Sequence, residues 1–303
     1  MNGNGKIIIA GGTGFMGQRL IDRYVQMGKG VTVISRAEQS IKGVNVVLWN
    51  NSVDILNALE SAEMVINLAG KSVDCRYSAK NKKAIFDSRI NTTQKLGELI
   101  LNSKNPPKLW INSSTATIYR HAEDRAMTEQ DGELGIGFSV NVATAWEKAF
   151  FDFALPQTRQ IALRTAIVFG KDGGAFHYYK RLAQMGFGGR HGAGNQMFSF
   201  VHEDDVFGAI QFLKERKNLF GIFNLSSPKP LTNQQMTKEL CEKLGIKVRI
   251  PLRKWMLETG AFLLRTETEL LLKSRWVIPQ RLLNQGFQFK YPDFKSALEG
   301  LID

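Results

Sequence analysis

The chain lacks the residues and the long apolar runs that mark several classes of protein. Two cysteines among 303 residues, Cys75 and Cys241, rule out a disulfide scaffold. No apolar run approaches the roughly 18 residues of a transmembrane helix, so we expect no membrane partner. The polar first residues lead into an apolar run that is too short for a secretory signal, and this predicts a cytoplasmic protein.

Histidine is also scarce, and His121, His177 and His191 lack metal-ligand spacing from cysteines or carboxylates, so we predict no metal site. The formal net charge of +12 favours anionic partners such as phosphates and nucleotides. The lysines and arginines are scattered and are not interleaved with aromatic residues, so nucleic-acid binding is not favoured. The surplus charge would instead assist the capture of an anionic cofactor.

Short β-branched runs alternate with longer amphipathic segments over the first two-thirds of the chain. Because the apolar runs show no alternation of polar and apolar residues, they are typical of parallel strands covered on both faces. The predicted strands are residues 6–10, 31–34, 44–48, 64–68, 109–112 and 160–169, and the predicted helices are 15–27, 79–101 and 143–153.

The regular alternation of predicted strands and helices becomes less clear beyond Gly170. Two glycine-rich stretches occur there, at 170–174 and 186–194. Helices are predicted at 233–244, 255–272 and 294–302, so the C-terminal part is smaller and mostly helical. The aromatic residues Phe198, Phe200 and Trp276 are candidates for the wall of a substrate site, and the alternative is that they belong to the core.

A glycine-rich loop joins the first strand to the first helix with the spacing Gly12-x-Gly14-x-x-Gly17. A tight turn, close approach of the backbone to a pyrophosphate and close helix–strand packing each require a glycine. The helix N-terminus then offers N–H groups to phosphates. We therefore predict dinucleotide binding, and a glycine turn without a ligand is the alternative. The predicted loop contacts are Gly11, Thr13, Gly14, Phe15 and Met16.

The end of the second strand indicates which dinucleotide binds. NAD-selective sites usually end this strand with an acidic residue, whereas this chain has Ser35 and Arg36. The Arg36 guanidinium would pair with a 2′-phosphate, and Ser35 would donate a further hydrogen bond. We therefore predict NADP(H) as the cofactor. The alternative is that Arg36 is an ordinary exposed cation at the end of a strand.

These patterns predict an α/β fold, a Rossmann-type doubly wound parallel sheet with a smaller, mostly helical C-terminal lobe. The expected NADP(H)-binding domain spans residues 1–225, with 170–200 contributing to the substrate lobe. The expected small C-terminal lobe spans residues 226–303.

Gly11, Gly14 and Gly17 also give a GxxGxxG spacing that resembles the extended short-chain dehydrogenase/reductases. Residues 67–70 resemble the NAG-type motif of that superfamily, which implies that Leu68, Ala69 and Gly70 line the cofactor. The strand that contains Leu163 resembles the LR-x-x-x-x-x-G strand of the superfamily and implies a further cofactor contact at that leucine.

Residues 88–93 follow on the next helix, where extended members place an asparagine that braces the sheet. Arg89 adds a cation on the same side of the crevice, within reach of a cofactor phosphate. The alternative is that Arg89 is a surface charge on the helix.

The segment from Ser113 to Tyr119 resembles the SS-x-x-x-Y segment that carries the catalytic hydroxyl, and this places that role on Thr115. The usual Tyr-x-x-x-Lys pair is missing, because its two positions fall on Ser139 and Ala143. Tyr119 is the tyrosine close by in sequence that would assist proton transfer.

The segment from 200 to 206 resembles the VHxDD segment of the superfamily, with His202 at its start. A Ser-His-Asp role for His202 is one interpretation. Helix capping by Asp204 and Asp205 is the interpretation that we favour.

The order of these motifs, with Trp146-Glu147 in place of the Tyr/Lys helix, resembles the atypical sugar-nucleotide epimerase-like branch. Residues 277–292 resemble the C-terminal domain of unknown function in that branch. The resemblance implies an NADP(H)-dependent oxidoreductase or epimerase-like enzyme, a monomer or homodimer, acting on a nucleotide sugar or a carbonyl compound. The alternative is a non-catalytic NADP(H)-binding or sensing protein, because the usual catalytic pair is gone.

Overall fold

The computed structural model describes residues 5–253, 255–257 and 273–302. Its central element is a seven-stranded parallel sheet with the strand order β11-β6-β5-β4-β1-β2-β3. The seven strands are Lys6–Ala10 (β1), Gly30–Ser35 (β2), Val44–Leu48 (β3), Met64–Asn67 (β4), Leu109–Thr115 (β5), Arg159–Thr165 (β6) and Gly221–Leu225 (β11). The order reverses between β1 and β4, and such a reversal opens a crevice at the carboxyl ends of the strands.

Helices cover both faces of the sheet, as the continuous apolar strands require. They are Phe15–Gln26 (α1), Ser52–Leu59 (α2), Ala79–Leu101 (α3), Phe138–Phe151 (α4) and Glu203–Glu215 (α6). The side chains of β1 alternate between two cores, with Ile7 and Ile9 packed in the core of α1 and α6. Ile8 and Ala10 pack in the core of α2, α3 and α4. The predicted doubly wound Rossmann-type sheet is therefore confirmed.

A second core lies in the smaller lobe. Its elements are Ile167–Gly170 (β7), Gly173–Gly174 (β8), Phe176–Leu182 (α5), Met197–Phe198 (β9), Phe200–His202 (β10), Leu231–Thr232 (β12), Asn233–Lys243 (α7) and Phe294–Leu301 (α9). Phe169 lies at its centre, with ring contacts to Phe198 at 5.7 Å and Phe200 at 5.8 Å. Phe198 and Phe200 are buried, so the core interpretation holds for both and the substrate-wall interpretation does not.

Each of the two cores contains segments from both sides of residue 225. Residues 167–202 contribute to the second core, whereas α6 and β11 return to the sheet. The helix Gln280–Asn284 (α8) and Phe287 pack on the first core, although they lie in the predicted C-terminal lobe. The boundary at residue 225 therefore stays a prediction.

Two predicted elements differ from those in the structure. The predicted strand 160–169 is divided at Ala166, whose N–H donates to the carbonyl of Leu225, and β7 then pairs with β10 in another sheet. The helix predicted from residue 143 begins at Phe138, directly after Gly137, which has a φ of 104°. The predicted helix 255–272 lies almost entirely outside the described residues.

Candidate cofactor and active site

The glycine loop has the geometry that a bound pyrophosphate needs. Gly11 has a φ of +81°, and a Cβ there would lie 2.8 Å from the Leu68 backbone. A Cβ at Gly17 would lie 2.6 Å from the Gly11 carbonyl oxygen, so α1 and the loop touch at this point. Gly14 differs, because its nearest neighbour would be 3.6 Å away and its φ is −77°. Gly11 and Gly17 thus close the turn, whereas Gly14 leaves space open above it.

The first turn of α1 faces that space. Gly14 is the N-cap, and the N–H groups that follow in a first helical turn have no partners within the helix. Phe15 and Met16 belong to this turn and line a cavity of about 460 Å³, while Thr13 is exposed at the loop tip. The predicted residues of the phosphate loop therefore lie together.

The ring of Phe15 packs on the hairpin formed by β7 and β8. A Cβ placed on Gly170 or on Gly173 would lie 2.3 Å from a ring atom of Phe15. Arg19, one turn later on α1, pairs with Asp172 in the same hairpin at 2.5 Å. The start of the phosphate-loop helix is therefore attached directly to the beginning of the second lobe.

Ser35 and Arg36 lie at the end of β2, as expected, but their side chains differ in availability. The Ser35 hydroxyl donates to the carbonyl of Ala37 at 2.8 Å and accepts from the Gln39 side chain at 3.0 Å, which holds the turn. Its single proton is therefore already used. Arg36 is exposed, and no ion pair or hydrogen bond holds its side chain among the described residues.

Arg89 is half-buried on α3 next to the loop that follows β4. Its Nη1 donates to the carbonyls of Lys71 at 3.0 Å and Ile85 at 3.1 Å, and its guanidinium lies 5.1 Å from the Trp146 ring centre. No carboxylate pairs with Arg89 within the part of the chain that the structure describes. Burial lowers the pKa of Arg89 to about 10. The alternative that Arg89 is an ordinary surface charge on the helix therefore does not hold, and its predicted contact with a cofactor phosphate stays a prediction.

Arg89 also touches the predicted cofactor-lining segment. A Cβ on Gly70 would lie 3.1 Å from the Arg89 Cζ atom. Leu68 lines the same cavity as Phe15, and Ala69 is buried, with its N–H donating to the Asn67 side chain at 3.1 Å. The segment thus lies between the glycine loop and Arg89.

The cavity extends from the glycine loop across the ends of β5 and β6. Leu163, for which a cofactor contact is predicted, lines it together with three hydroxyl-bearing residues, Ser113, Ser114 and Thr165. Thr115 does not line the cavity. It ends β5 opposite Thr165 in the register, and its hydroxyl accepts from the Thr117 N–H at 3.1 Å. Ser113 and Thr165 were missed by the sequence reasoning, although both lie at strand ends.

Tyr119 is fully buried and lies outside the cavity lining. Its hydroxyl donates to Asn224 Oδ1 at 2.8 Å and accepts from Arg164 Nη1 at 2.9 Å. Burial raises the pKa of the Tyr119 hydroxyl, and this effect is larger than the opposing effect of Arg164. The structure thus does not bring Tyr119 together with the glycine loop.

A buried polar layer that includes Tyr119 lies beneath the strand ends, and the sequence reasoning did not find it. Glu147 accepts two hydrogen bonds from Arg164, at 2.8 and 2.7 Å, and one from the Ser114 hydroxyl at 2.6 Å. Ser114, Arg164 and Asn224 occupy one register row across β5, β6 and β11. The available signal was Glu147 itself, which is the one acidic residue of α4.

A second polar cluster fixes α3 and α4 to the sheet. Asn67 Nδ2 donates to Asn112 Oδ1 at 2.7 Å and to Thr93 Oγ1 at 3.1 Å. Trp146 Nε1 donates to the same Thr93 hydroxyl at 2.9 Å. Asn91 is exposed, so the bracing role expected of an asparagine on α3 belongs to Thr93 and its partners instead.

The usual Tyr/Lys positions, Ser139 and Ala143, both lie on α4. Ala143 is buried and packs with Tyr119 in one apolar cluster, and Ser139 is half-buried. Neither side chain can supply an acidic hydroxyl with a nearby ammonium group.

His202 is the N-cap of α6, and its Nδ1 accepts from the Asp204 N–H at 3.1 Å. The prediction that Asp204 and Asp205 cap the helix is therefore wrong. Asp204 pairs with Lys290 at 2.8 Å, and Asp205 accepts from the N–H groups of Lys290 and Tyr291. Burial lowers the pKa of His202 to about 4.

Neither a metal site nor a membrane span is found in the described ranges. No group of histidine, cysteine and carboxylate side chains there has a metal-binding arrangement. No helix in those ranges is long and apolar enough to cross a bilayer.

Two family models match the chain. Residues 7–136 match the NAD dependent epimerase/dehydratase family, and residues 254–301 match a domain of unknown function (DUF1731). The human epimerase family protein SDR39U1 is 30% identical over 302 residues, which cover 98% of this chain and 99% of the human protein. An epimerase family protein of Staphylococcus saprophyticus is 31% identical over 298 residues, covering 97% of this chain and 98% of that protein.

Solved structures of epimerase-family proteins also resemble this chain. The crystal structure of human SDR39U1 with NADPH superposes with a TM-score of 0.88 at 28% identity, covering 98% of this chain and 99% of that one. A nucleoside-diphosphate sugar epimerase from Corynebacterium glutamicum gives a TM-score of 0.77 at 25% identity. That match covers 98% of this chain and 58% of the Corynebacterium chain.

Proposed function

Because this chain belongs to the NAD(P)-dependent epimerase family within the extended short-chain dehydrogenase/reductases, we propose that it binds NADP(H) and acts as an oxidoreductase or epimerase-like enzyme on a small molecule. The observation that carries the proposal is the open space above Gly14, which continues into a cavity reaching Ser113 and Leu163. The human relative crystallised with NADPH supports the same cofactor.

The glycine loop would hold the cofactor's pyrophosphate. The N–H groups of Phe15 and Met16 point out of the first turn of α1, where the helix dipole also favours an anion. Gly11, Thr13 and Gly14 would supply the remaining backbone of the cradle. Leu68, Ala69 and Gly70 would line the cofactor on its other side, and Leu163 would close the cavity floor.

Two arginines would neutralise phosphate charge. Arg36 is exposed at the end of β2 with its guanidinium free to bind a 2′-phosphate, and this favours NADP(H) over NAD(H). Ser35 would contribute by fixing the turn that carries Arg36. The hydrogen bond to phosphate predicted from the sequence is not available, because the Ser35 hydroxyl is used within that turn. Arg89 is a half-buried cation that has no carboxylate partner among the described residues, and such a charge is costly unless an anion binds it.

The nicotinamide ring supplies hydride chemistry when the cofactor is bound. Thr115 ends β5 outside the cavity lining, so its hydroxyl would have to turn towards the cavity to orient a substrate hydroxyl or carbonyl oxygen. Ser113 and Thr165 line the cavity and are the alternative residues for this role. The buried hydroxyl of Tyr119 is held by Asn224 and Arg164, so its role in this proposal is to support the β5 loop. A nucleotide sugar or a carbonyl compound is the proposed substrate class.

A non-catalytic NADP(H)-binding or sensing protein is the second candidate. It is favoured by one observation: the usual catalytic pair is replaced by Ser139 and a buried Ala143, while Tyr119 is engaged elsewhere. This candidate requires the same cofactor site but no proton donor at the nicotinamide.

The test is a titration with NADPH and NADH followed by single-turnover assays on a panel of carbonyl compounds and nucleotide sugars. Tight binding of NADPH with substrate-dependent oxidation supports the enzyme. Tight binding with no turnover across the panel supports the sensor, and failure to bind NADPH contradicts both.

A further inference from the structure

Two segments that touch each other in the second lobe carry an unusual excess of positive charge. Residues 173–202 contain no aspartate or glutamate but three lysines and arginines. Residues 243–257 also contain no acidic residue but five lysines and arginines. Because the whole chain has 40 cationic and 28 acidic residues, an acid-free stretch of this length is a local departure from its composition.

The backbones of the two segments pair directly. The Ile250 N–H donates to the Gly186 carbonyl at 2.9 Å, and the Gly189 N–H donates to the Ile250 carbonyl at 3.1 Å. Leu252 and Arg190 make a further bond of 3.0 Å between their backbones. We call the surface formed by residues 183–192 and 246–253 the basic face.

The basic face exposes apolar side chains among its cations. Met185 and Val248 are each 61% exposed and Ile250 is 46% exposed. Val248 and Ile250 alternate along the chain with the exposed residues Lys247 and Arg249. Ile246 and Leu252 point into the protein at the two ends of this run, so the core anchors the segment and the middle projects outward.

Among the residues that the structure describes, neighbouring elements balance the charge on the basic face only in part. On α7, Glu242 pairs with Arg249 at 3.6 Å. Arg181, Arg190, Lys247 and Arg253 are all exposed around the apolar side chains. The surface therefore presents several cations around a small apolar centre.

We infer that the basic face docks this protein on the surface of an anionic lipid bilayer, contrary to the expectation of no membrane partner, which was based only on the lack of a membrane-spanning run. Cations attract anionic headgroups, and aliphatic side chains enter the boundary between headgroups and acyl chains, so alternation of the two suits this interface. A nucleic acid would use the cations and the exposed ring of Trp255, but it would leave the aliphatic side chains of Met185, Val248 and Ile250 in water, whereas a tryptophan also suits a bilayer interface. The inference is independent of the cofactor and of any catalytic activity.

The experiment is co-sedimentation of the full-length protein with vesicles of phosphatidylcholine containing phosphatidylglycerol, with pure phosphatidylcholine vesicles alongside. We expect binding to the anionic vesicles only, and loss of that binding at high salt because screening shortens the reach of the charges. Absence of binding to anionic vesicles at low salt overturns the inference. Binding to RNA in a parallel assay, without binding to the anionic vesicles, also overturns it.

A matched pair of double variants then locates the surface. Lys247→Ala with Val248→Ser should weaken vesicle binding by roughly fivefold for the lost cation and further for the lost aliphatic group. Lys217→Ala with Phe220→Ser removes an exposed lysine and an exposed apolar residue from another part of the molecule and should leave binding unchanged. Equal effects of the two variants overturn the assignment to the basic face. Thermal unfolding of both variants checks that the fold is retained.

Discussion

The Glu147 carboxylate and the Arg164 guanidinium form a two-point ion pair inside the protein, with both side chains less than a tenth exposed. Ser114 donates to the same carboxylate, so three elements meet at Glu147. Removing one charge of a buried pair leaves the other uncompensated. Glu147→Gln should therefore lower the free energy of unfolding by about 3–5 kcal/mol, as measured by urea denaturation.

Asp152→Asn provides the control for this variant. Asp152 follows α4 directly and pairs with Lys148 at the surface, so its loss should cost no more than about 1 kcal/mol. Similar losses for Glu147→Gln and Asp152→Asn would contradict a structural role for the buried pair.

Gly14→Ala should separate cofactor binding from folding. A Cβ at Gly14 has its nearest neighbour at 3.6 Å and an ordinary φ, so the variant should fold with nearly unchanged stability. The added methyl group would occupy the space above the loop and should reduce NADPH affinity at least tenfold, about 1.4 kcal/mol. Fluorescence titration of NADPH and thermal unfolding measure the two effects.

Variants at two other glycines serve as controls for Gly14→Ala. Gly17→Ala would place a Cβ 2.6 Å from backbone atoms and should destabilise the fold, whereas Gly30→Ala meets no atom within 4 Å and should change neither property. Unchanged NADPH affinity in Gly14→Ala would mean that the cofactor lies elsewhere.

Arg36→Ala tests the choice of cofactor. If the guanidinium binds the 2′-phosphate, its removal should weaken NADPH by about 1.5–3 kcal/mol, the usual worth of a hydrogen bond to a charged group. NADH lacks that phosphate, so its affinity should stay the same. Arg36 is exposed, and the variant should fold normally. Parallel titrations with both nucleotides give the answer, and an equal effect on the two would reject the assignment.

Thr115→Val and Tyr119→Phe should affect different properties. Thr115→Val should abolish turnover of whichever panel substrate is active, with NADPH affinity retained. Tyr119→Phe removes two buried hydrogen bonds and should cost about 1–3 kcal/mol of stability while NADPH still binds. Ser113→Ala is the comparison for the hydroxyl role, since Ser113 lines the cavity. Turnover that survives Thr115→Val but not Ser113→Ala would transfer the role to Ser113.

The stability of the fold should fall as the pH is lowered from 6.5 towards 4. Burial lowers the pKa of both His191 and His202 from 6.5 to about 4, so in this range the unfolded chain binds protons that the folded chain does not. Each histidine then contributes up to about 1.4 kcal/mol per pH unit. Burial raises the pKa of Asp205 to about 6 and also raises the pKa values of Glu129 and Glu239, so these three carboxyl groups act in the opposite direction.

His202→Asn isolates one of the two histidines. Asparagine retains a side-chain acceptor for the N-cap of α6 but does not titrate. Urea denaturation at a series of pH values gives the free energy of unfolding. In the variant this free energy should fall less towards low pH than in the parent protein, because the contribution of one histidine is removed. An identical dependence would show that His202 is not a source of the acid sensitivity.

Local patterns in the sequence predicted local structure well. Helix α3 has the predicted bounds, Ala79–Leu101, because Ser78 caps its first turn and a proline pair follows its end. The glycine loop was predicted together with the first turn of α1, since strand, loop and helix are contiguous in the chain.

Contacts between distant segments could not be predicted in the same way. The partnership of Glu147 with Arg164 and Ser114 depends on the register of β5 against β6 and on how α4 lies over them. The position of Tyr119 depends on Asn224, 105 residues further along the chain. The sequence did not predict His202 as the N-cap of α6, because serine, threonine, asparagine and aspartate are the usual residues at an N-cap.

The contact between Phe15 and the glycine hairpin also restricts how this protein can diverge. A side chain at Gly170 or Gly173 has no room while an aromatic ring occupies position 15. Two segments more than 150 residues apart in the chain must therefore be inherited as a matched set. A chimera that exchanges the hairpin between relatives should therefore also exchange the residue at position 15, so that the new side chains do not clash.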